Sequence, residues 1–101
     1  MNKAIFITVR SNSTRLPKKA LLEIKGKPVI EHLIQRVKKA KKSDMTVLCT
    51  TESPEDKILC EIAVRNKIKF FCGSENDKLV RWLGAAKKYN VEFFVTADGD
   101  D

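Results

Sequence analysis

Four short apolar runs, Lys3 to Val9, Met45 to Thr51, Ile68 to Cys72 and Val91 to Ala97, alternate with stretches whose apolar residues recur at helical spacing. That alternation leaves few folds open. Strands and helices in strict succession build a parallel sheet with right-handed crossovers, and such sheets take ligands at the C-terminal ends of their strands. The first run is nearly continuous in apolar character, so it reads as a strand buried on both faces and as the central strand. The fold class expected is α/β, a three-layer Rossmann-like sandwich around a mainly parallel sheet.

The intervening segments carry their own start signals. After Leu22 to Pro28, which alternates briefly and turns at Gly26, the residues Val29, Ile30, Leu33, Ile34 and Val37 share one helical face, with Pro28 placed for the first turn. Ser53-Pro54-Glu55-Asp56 opens a second helix, with serine at the N-cap, proline behind it and early acids. Ile58 and Ile62, with Leu59 and Ala63 as further members, form its apolar face. Asn76 or Asp77 caps a third helix whose stripe is Leu79, Leu83 and Ala86, with Trp82 and Tyr89 beside it. No repeat, linker or low-complexity tract interrupts the 101 residues, so one domain is expected.

No apolar run approaches the roughly 20 residues needed to span a bilayer. The run Ala4 to Val9 breaks at Arg10, unlike a secretory leader. A cytoplasmic protein with no membrane association is expected. Cys49, Cys60 and Cys72 have no paired C-x-x-C spacing, so neither a disulfide framework nor a zinc site is indicated, and free thiols are expected. The formal charge of +7 favours polyanionic partners. Lys38, Lys39, Lys41 and Lys42 cluster at a helix end, where the helix dipole favours cations. No aromatic residues interleave with them, so no nucleic-acid partner is expected. His32, beside Leu33, reads as a structural histidine.

The most informative segment follows the first strand. Arg10-Ser11-Asn12-Ser13-Thr14-Arg15-Leu16-Pro17-Lys18-Lys19 combines two arginines, two lysines, three hydroxyls and an asparagine. Guanidinium forks and lysines match phosphate oxygens, and hydroxyls fill the remaining acceptor sites. The loop contains no glycine, and neither phosphate motif G-x-x-x-x-G-K-[S/T] nor G-x-G-x-x-G occurs in the chain. Phosphate binding here therefore falls to side-chain cations. On composition alone, an ordinary polar loop is an equal alternative.

The run Arg10-x-x-Ser13-Thr14-Arg15-Leu16-Pro17-x-Lys19-x-Leu21-Leu22-x-Ile24-x-Gly26-Lys27-Pro28 resembles the signature of the CTP-dependent sugar cytidylyltransferases. It is similar to the acylneuraminate and 3-deoxy-manno-octulosonate branch, and most of all to the spore-coat polysaccharide biosynthesis proteins. The resemblance continues through Thr50-Thr51-x-x-Pro54-Glu55-Asp56, Gly73-Ser74-x-x-Asp77-x-Leu79-x-Arg81 and Gly99-Asp100.

That resemblance implies attack by a sugar oxygen on the α-phosphorus of CTP, with release of pyrophosphate. It assigns Arg10, Arg15 and Lys19 to the triphosphate as the catalytic cations, and Ser13 and Thr14 to polar contacts with the nucleotide. Thr50, Thr51, Gly73 and Ser74 become walls of the nucleotide pocket, and Arg81 a contact to cytosine or ribose. Asp100 becomes the ligand of Mg2+, assisted by Asp98 or Asp101. The partners implied are CTP and a sugar acceptor, with the full-length protein a homodimer. Residues 1–101 then form the N-terminal nucleotide-binding part of a cytidylyltransferase domain, truncated before its sugar-binding part.

One departure from the pattern stands inside the loop: Lys18 occupies the place of a glycine, removing backbone freedom and adding charge. The alternative function is a truncated nucleotide-binding module without turnover.

Overall fold

The computed structural model describes residues 3–9, 23–40 and 44–98. Four strands, β1 (Lys3–Thr8), β4 (Met45–Thr51), β5 (Lys69–Gly73) and β6 (Phe93–Asp98), form one sheet in the order β5-β4-β1-β6. Every pairing in it is parallel, as the strand and helix alternation requires. β1 is interior, paired with β4 on one side and β6 on the other, which explains its continuous apolar run: Phe6, Ile7 and Val9 are all fully buried.

A small antiparallel hairpin, β2 (Glu23–Ile24) with β3 (Lys27–Pro28), leads into the first helix. Its two turn residues, Lys25 and Gly26, have φ of 54° and 80°. Positive φ at both central positions gives a turn whose twist matches the flanking strands, and glycine adopts it without steric penalty.

Helices α1 (Val29–Ala40) and α2 (Lys57–Arg65) cover one face of the sheet, and α3 (Lys78–Lys88) covers the other. On the first face Ile30 and Ile34 of α1 meet Leu59, Ile62 and Ala63 of α2 over Ile7, Val9 and Leu48. Complete burial of an isoleucine or leucine side chain contributes about 1.5 to 3 kcal/mol, and this cluster holds five of them, Ile7, Ile30, Ile34, Leu48 and Leu59, at 1% exposure or less. On the second face Phe6 stacks on Phe94 with ring centroids 4.4 Å apart, and Trp82, Ala85, Ala86 and Tyr89 close over them.

Two helix faces differ from the sequence expectation. In α2 the buried side is Leu59, Ile62 and Ala63, and Ile58 stands outside it at 45% exposure. In α3 the expected stripe Leu79 and Leu83 is more than half exposed, while Arg81 and Ala85 are buried. The reason is close approach. Gly84 lies against the ring of Phe71, so near that a Cβ would meet Phe71 Cζ at 2.6 Å. α3 therefore turns its small residues and the aliphatic stem of Arg81 toward the sheet.

The start of α2 also differs in detail. Pro54–Asp56 forms a 3-10 turn, and Ser53 makes no side-chain cap to it. Asp77, by contrast, caps α3, accepting from Val80 N at 3.2 Å.

A polar clasp joins the two helices of the first face. The buried Glu31 carboxylate accepts from Asn66 Nδ2 at 2.7 Å and Arg65 Nε at 3.0 Å. Those bonds hold its pKa below the ordinary 4.5, the Asn66 bond contributing most. Lys38, one of the lysines clustered at the end of α1, donates to Asn66 O at 2.6 Å.

Candidate nucleotide site at the carboxyl edge of the sheet

Strand order places the site. The chain steps from β1 outward to β4 and β5, then returns to the opposite side of β1 to lay down β6. Where the order reverses, the crossovers leave to opposite faces and open a crevice beyond the strand ends. The residues at that edge are in register: Thr8 lies beside Cys49 on one side and Asp98 on the other, and Thr51 lies beside Gly73. Backbone bonds from Val9 N to Cys49 O and Glu52 N to Gly73 O, each 3.1 Å, carry the ladder to its limit.

Each edge residue is held by a specific partner. Thr8 is buried and its hydroxyl accepts from Trp82 Nε1 at 2.7 Å, a link between β1 and α3 across 74 residues of chain. Thr51 Oγ1 donates to the Asp56 carboxylate and accepts from Ser53 N at 3.1 Å. Both Thr51 and Asp56 are buried, so this hydroxyl braces the turn between β4 and α2. Thr50 is fully buried, and its hydroxyl has no hydrogen-bond partner among the described residues.

Gly73 and Ser74 form the next wall. A Cβ on Gly73 would lie 2.8 Å from Phe71 Cε2 and 3.2 Å from Arg81 Cγ, so only glycine lets β5 end this close to α3. Ser74 Oγ accepts from Asp77 N at 3.2 Å. Arg81 reaches the same turn from beneath: its Nε donates to Ser74 O at 3.0 Å and its Nη2 to Glu75 O at 3.5 Å. At 1% exposure, Arg81 fixes the backbone of residues 74 and 75. Burial pushes the nearby Cys49 thiol up to about 12, partly opposed by the Arg81 charge.

Thr50, Thr51, Gly73, Ser74 and Arg81 are thus brought to one edge. The sequence-assigned Arg10, Ser13, Thr14, Arg15, Lys19 and Asp100, like Lys18, lie outside the described residues. Among the described residues no group of three or more His, Cys, Asp or Glu is arranged to hold a metal ion. Three bracing residues escaped the sequence reading. Thr8 is a hydroxyl within an apolar strand, Trp82 stands beside the apolar stripe of its helix, and Asp56 reads as a first-turn acid within the motif, so none of the three shows its partner. Only the polar interruption at Thr8 could have marked its partner.

A family model described as cytidylyltransferase matches residues 4–101. The chain belongs to the cytidylyltransferase family. An uncharacterised protein of Methanocaldococcus jannaschii is 36% identical over 95 residues, covering 94% of this chain and 39% of that protein. The 3-deoxy-manno-octulosonate cytidylyltransferase of Chlorobium phaeobacteroides is 32% identical over 106 aligned positions, covering 100% of this chain and 40% of that enzyme.

Among solved structures, a cytidylyltransferase from Leptospira borgpetersenii superposes with a TM-score of 0.93 at 38% identity, covering 99% of this chain and 42% of that one. A CMP:2-keto-3-deoxy-manno-octonic acid synthetase complexed with CTP shares the fold, with a TM-score of 0.78 at 23% identity over 100% of this chain and 41% of that one. This cytidylyltransferase-family chain therefore spans about two fifths of the length of the relatives it matches. Among its described residues no helix is long and apolar enough to cross a membrane.

Proposed function

We propose that this chain is the nucleotide-binding part of an enzyme that transfers CMP from CTP to an acidic or otherwise activated sugar, releasing pyrophosphate, for surface polysaccharide or glycoconjugate biosynthesis. The observation that carries the reading is the crevice where strand order reverses, bordered by Thr50, Thr51 and the braced Gly73–Ser74 turn; in sequence, the cationic segment Arg10 to Lys19 follows directly after Val9 at that edge. Relatives named as cytidylyltransferases support the reaction class, and the shared fold of a synthetase complexed with CTP supports the nucleotide.

In this reading Arg10, Arg15 and Lys19 neutralise the triphosphate and align pyrophosphate as the leaving group, with Ser13 and Thr14 filling acceptor positions. Charge stabilisation by fixed donors is worth most where water is excluded. Thr50, a buried hydroxyl with no partner among the described residues, lies at the base or ribose end. Ser74 presents the turn that faces the nucleotide, and Arg81 acts through that turn by holding its carbonyls.

An oxygen donor set, the Asp100 carboxylate with Asp98 or Asp101 and the phosphates, suits Mg2+. The ion would supply Lewis-acid polarisation of the phosphoryl oxygens. Residues beyond this chain's span would select the sugar, and the whole enzyme would act as a cytoplasmic homodimer.

A second reading, nucleotide binding without turnover, is favoured by this chain's span of about 40% of the length of the Chlorobium phaeobacteroides relative. Calorimetric titration with CTP, ATP, GTP and UTP, each with magnesium, tests the nucleotide assignment. CTP is expected to bind tightest, and equal weak binding of all four would sink it. Pyrophosphate release with a panel of ulosonic acids and sugar phosphates separates the two readings.

A further inference from the structure

Twelve positions apart in sequence, Cys60 of α2 and Cys72 of β5 place their Sγ atoms 3.1 Å from each other. Both thiols are free and half-buried. A disulfide bond is about 2.05 Å long, so the pair must close by roughly 1 Å to become covalent. The two elements already pack together, and the turn between them is closed by Ile68 N bonding Ala63 O at 3.1 Å. Cys49 is separate: it is fully buried among the residues beneath α3.

We propose that Cys60 and Cys72 form a thiol–disulfide site, oxidised by a low-molecular-weight disulfide to a covalent link between α2 and the end of β5. One cysteine loses its proton to solvent and attacks a sulfur of the small disulfide. A small thiolate leaves and takes up a proton, and a mixed disulfide remains. The other cysteine then loses its proton and attacks the protein sulfur of that mixed disulfide. The second small thiol departs and the Cys60–Cys72 bond forms. Two protein thiols are oxidised, one disulfide is reduced to two thiols, and nothing else is consumed.

Desolvation, with the Cys72 contact and the nearby Asp56 and Glu61 charges adding to it, pushes the Cys60 thiol up to about 12. Cys60 therefore rests as a thiol at neutral pH, and its reaction is slower than that of an exposed cysteine. The link would fasten the strand that ends at Gly73, just before Ser74, yet the inference stands without the CTP reading.

The test is to incubate the chain with oxidised glutathione, quench with acid, count thiols under denaturing conditions and map the peptides. The three thiols of the chain are expected to fall to one, at Cys49, with a Cys60–Cys72 cross-linked peptide. The oxidised chain should melt roughly 10 °C higher, because the cross-link restricts the unfolded chain, and dithiothreitol should reverse the shift. Cys60→Ser and Cys72→Ser should each abolish both effects, and Cys49→Ser should abolish neither. Several results would overturn the proposal: persistent mixed disulfides, chain-to-chain cross-links, a link through Cys49, a fall in melting temperature on oxidation, or three free thiols where the unfolded chain reacts.

Discussion

Gly73→Ala tests the close approach that shapes the carboxyl edge of the sheet. The glycine has no left-handed backbone angle, so alanine there meets no conformational penalty; the obstacle is space. Its Cβ would stand 2.8 Å from Phe71 Cε2, 3.2 Å from Arg81 Cγ and 3.4 Å from Arg81 Cα. The first contact demands movement of a ring packed under α3, and the next two tie that movement to the arginine that fixes Ser74. Overpacking of this kind costs about 1 to 3 kcal/mol. Reduced freedom of the unfolded chain offsets about 0.4 to 1 kcal/mol of it.

Mid-range values leave a net loss of about 1.3 kcal/mol, a fall in Tm of roughly 5 to 10 °C for a domain this small. Urea unfolding and thermal melts measure it. In a Phe71→Leu background the ring edge is gone, and the penalty of Gly73→Ala should drop by more than half. A neutral or stabilising Gly73→Ala, or an equal cost in both backgrounds, would refute the reasoning.

Gly84→Ala meets the same ring, at 2.6 Å from Phe71 Cζ, but lies inside α3, where alanine gains about 1 kcal/mol in helix propensity. That gain exceeds the offset at Gly73 by at most about 0.6 kcal/mol, so the two variants should differ by less than about 1 kcal/mol in the same urea series. Trp82→Phe removes the 2.7 Å bond to Thr8 and leaves a buried hydroxyl unpaired, for a loss of about 1 to 2 kcal/mol. Adding Thr8→Val should recover part of it, so that a double-mutant cycle shows coupling of about 1 kcal/mol. The depressed Glu31 carboxyl contributes stability that is present above its unfolded value near 4.5 and is lost as pH falls through the lower folded value. Glu31→Gln should then be less stable than the parent at pH 7, with the gap in Tm narrowing below about pH 4.

The sheet and its helices were legible because buried strands and amphipathic helices leave different periodicities. Met45–Thr51 and Val29–Ala40 matched their patterns closely. Helix rotation was less legible: counting leucines pointed α3 outward side in, since the pattern does not show that Gly84 and the stem of Arg81 admit Phe71. Ser53 looked like a cap, yet Asp56 turns to Thr51 and the chain enters α2 through a 3-10 turn. The edge of the site was readable as a set of motif residues. Its bracing was not, because Thr8 with Trp82 and Cys60 with Cys72 are pairs that only the folded chain brings together.

The central claim is that CTP docks at the carboxyl edge of the parallel sheet. Backbone amide NMR of the labelled chain, titrated with CTP and magnesium, tests it most directly. Shifts are expected to concentrate at Thr8, Val9, Thr50, Thr51, Gly73 and Ser74, with little change at the other end of the sheet. There a groove of about 380 Å3 is lined by Lys38, Asp44, Lys67 and Lys69. Shifts confined to that lysine-lined groove, with the strand ends unmoved, would contradict the account and recast the binding as charge attraction alone.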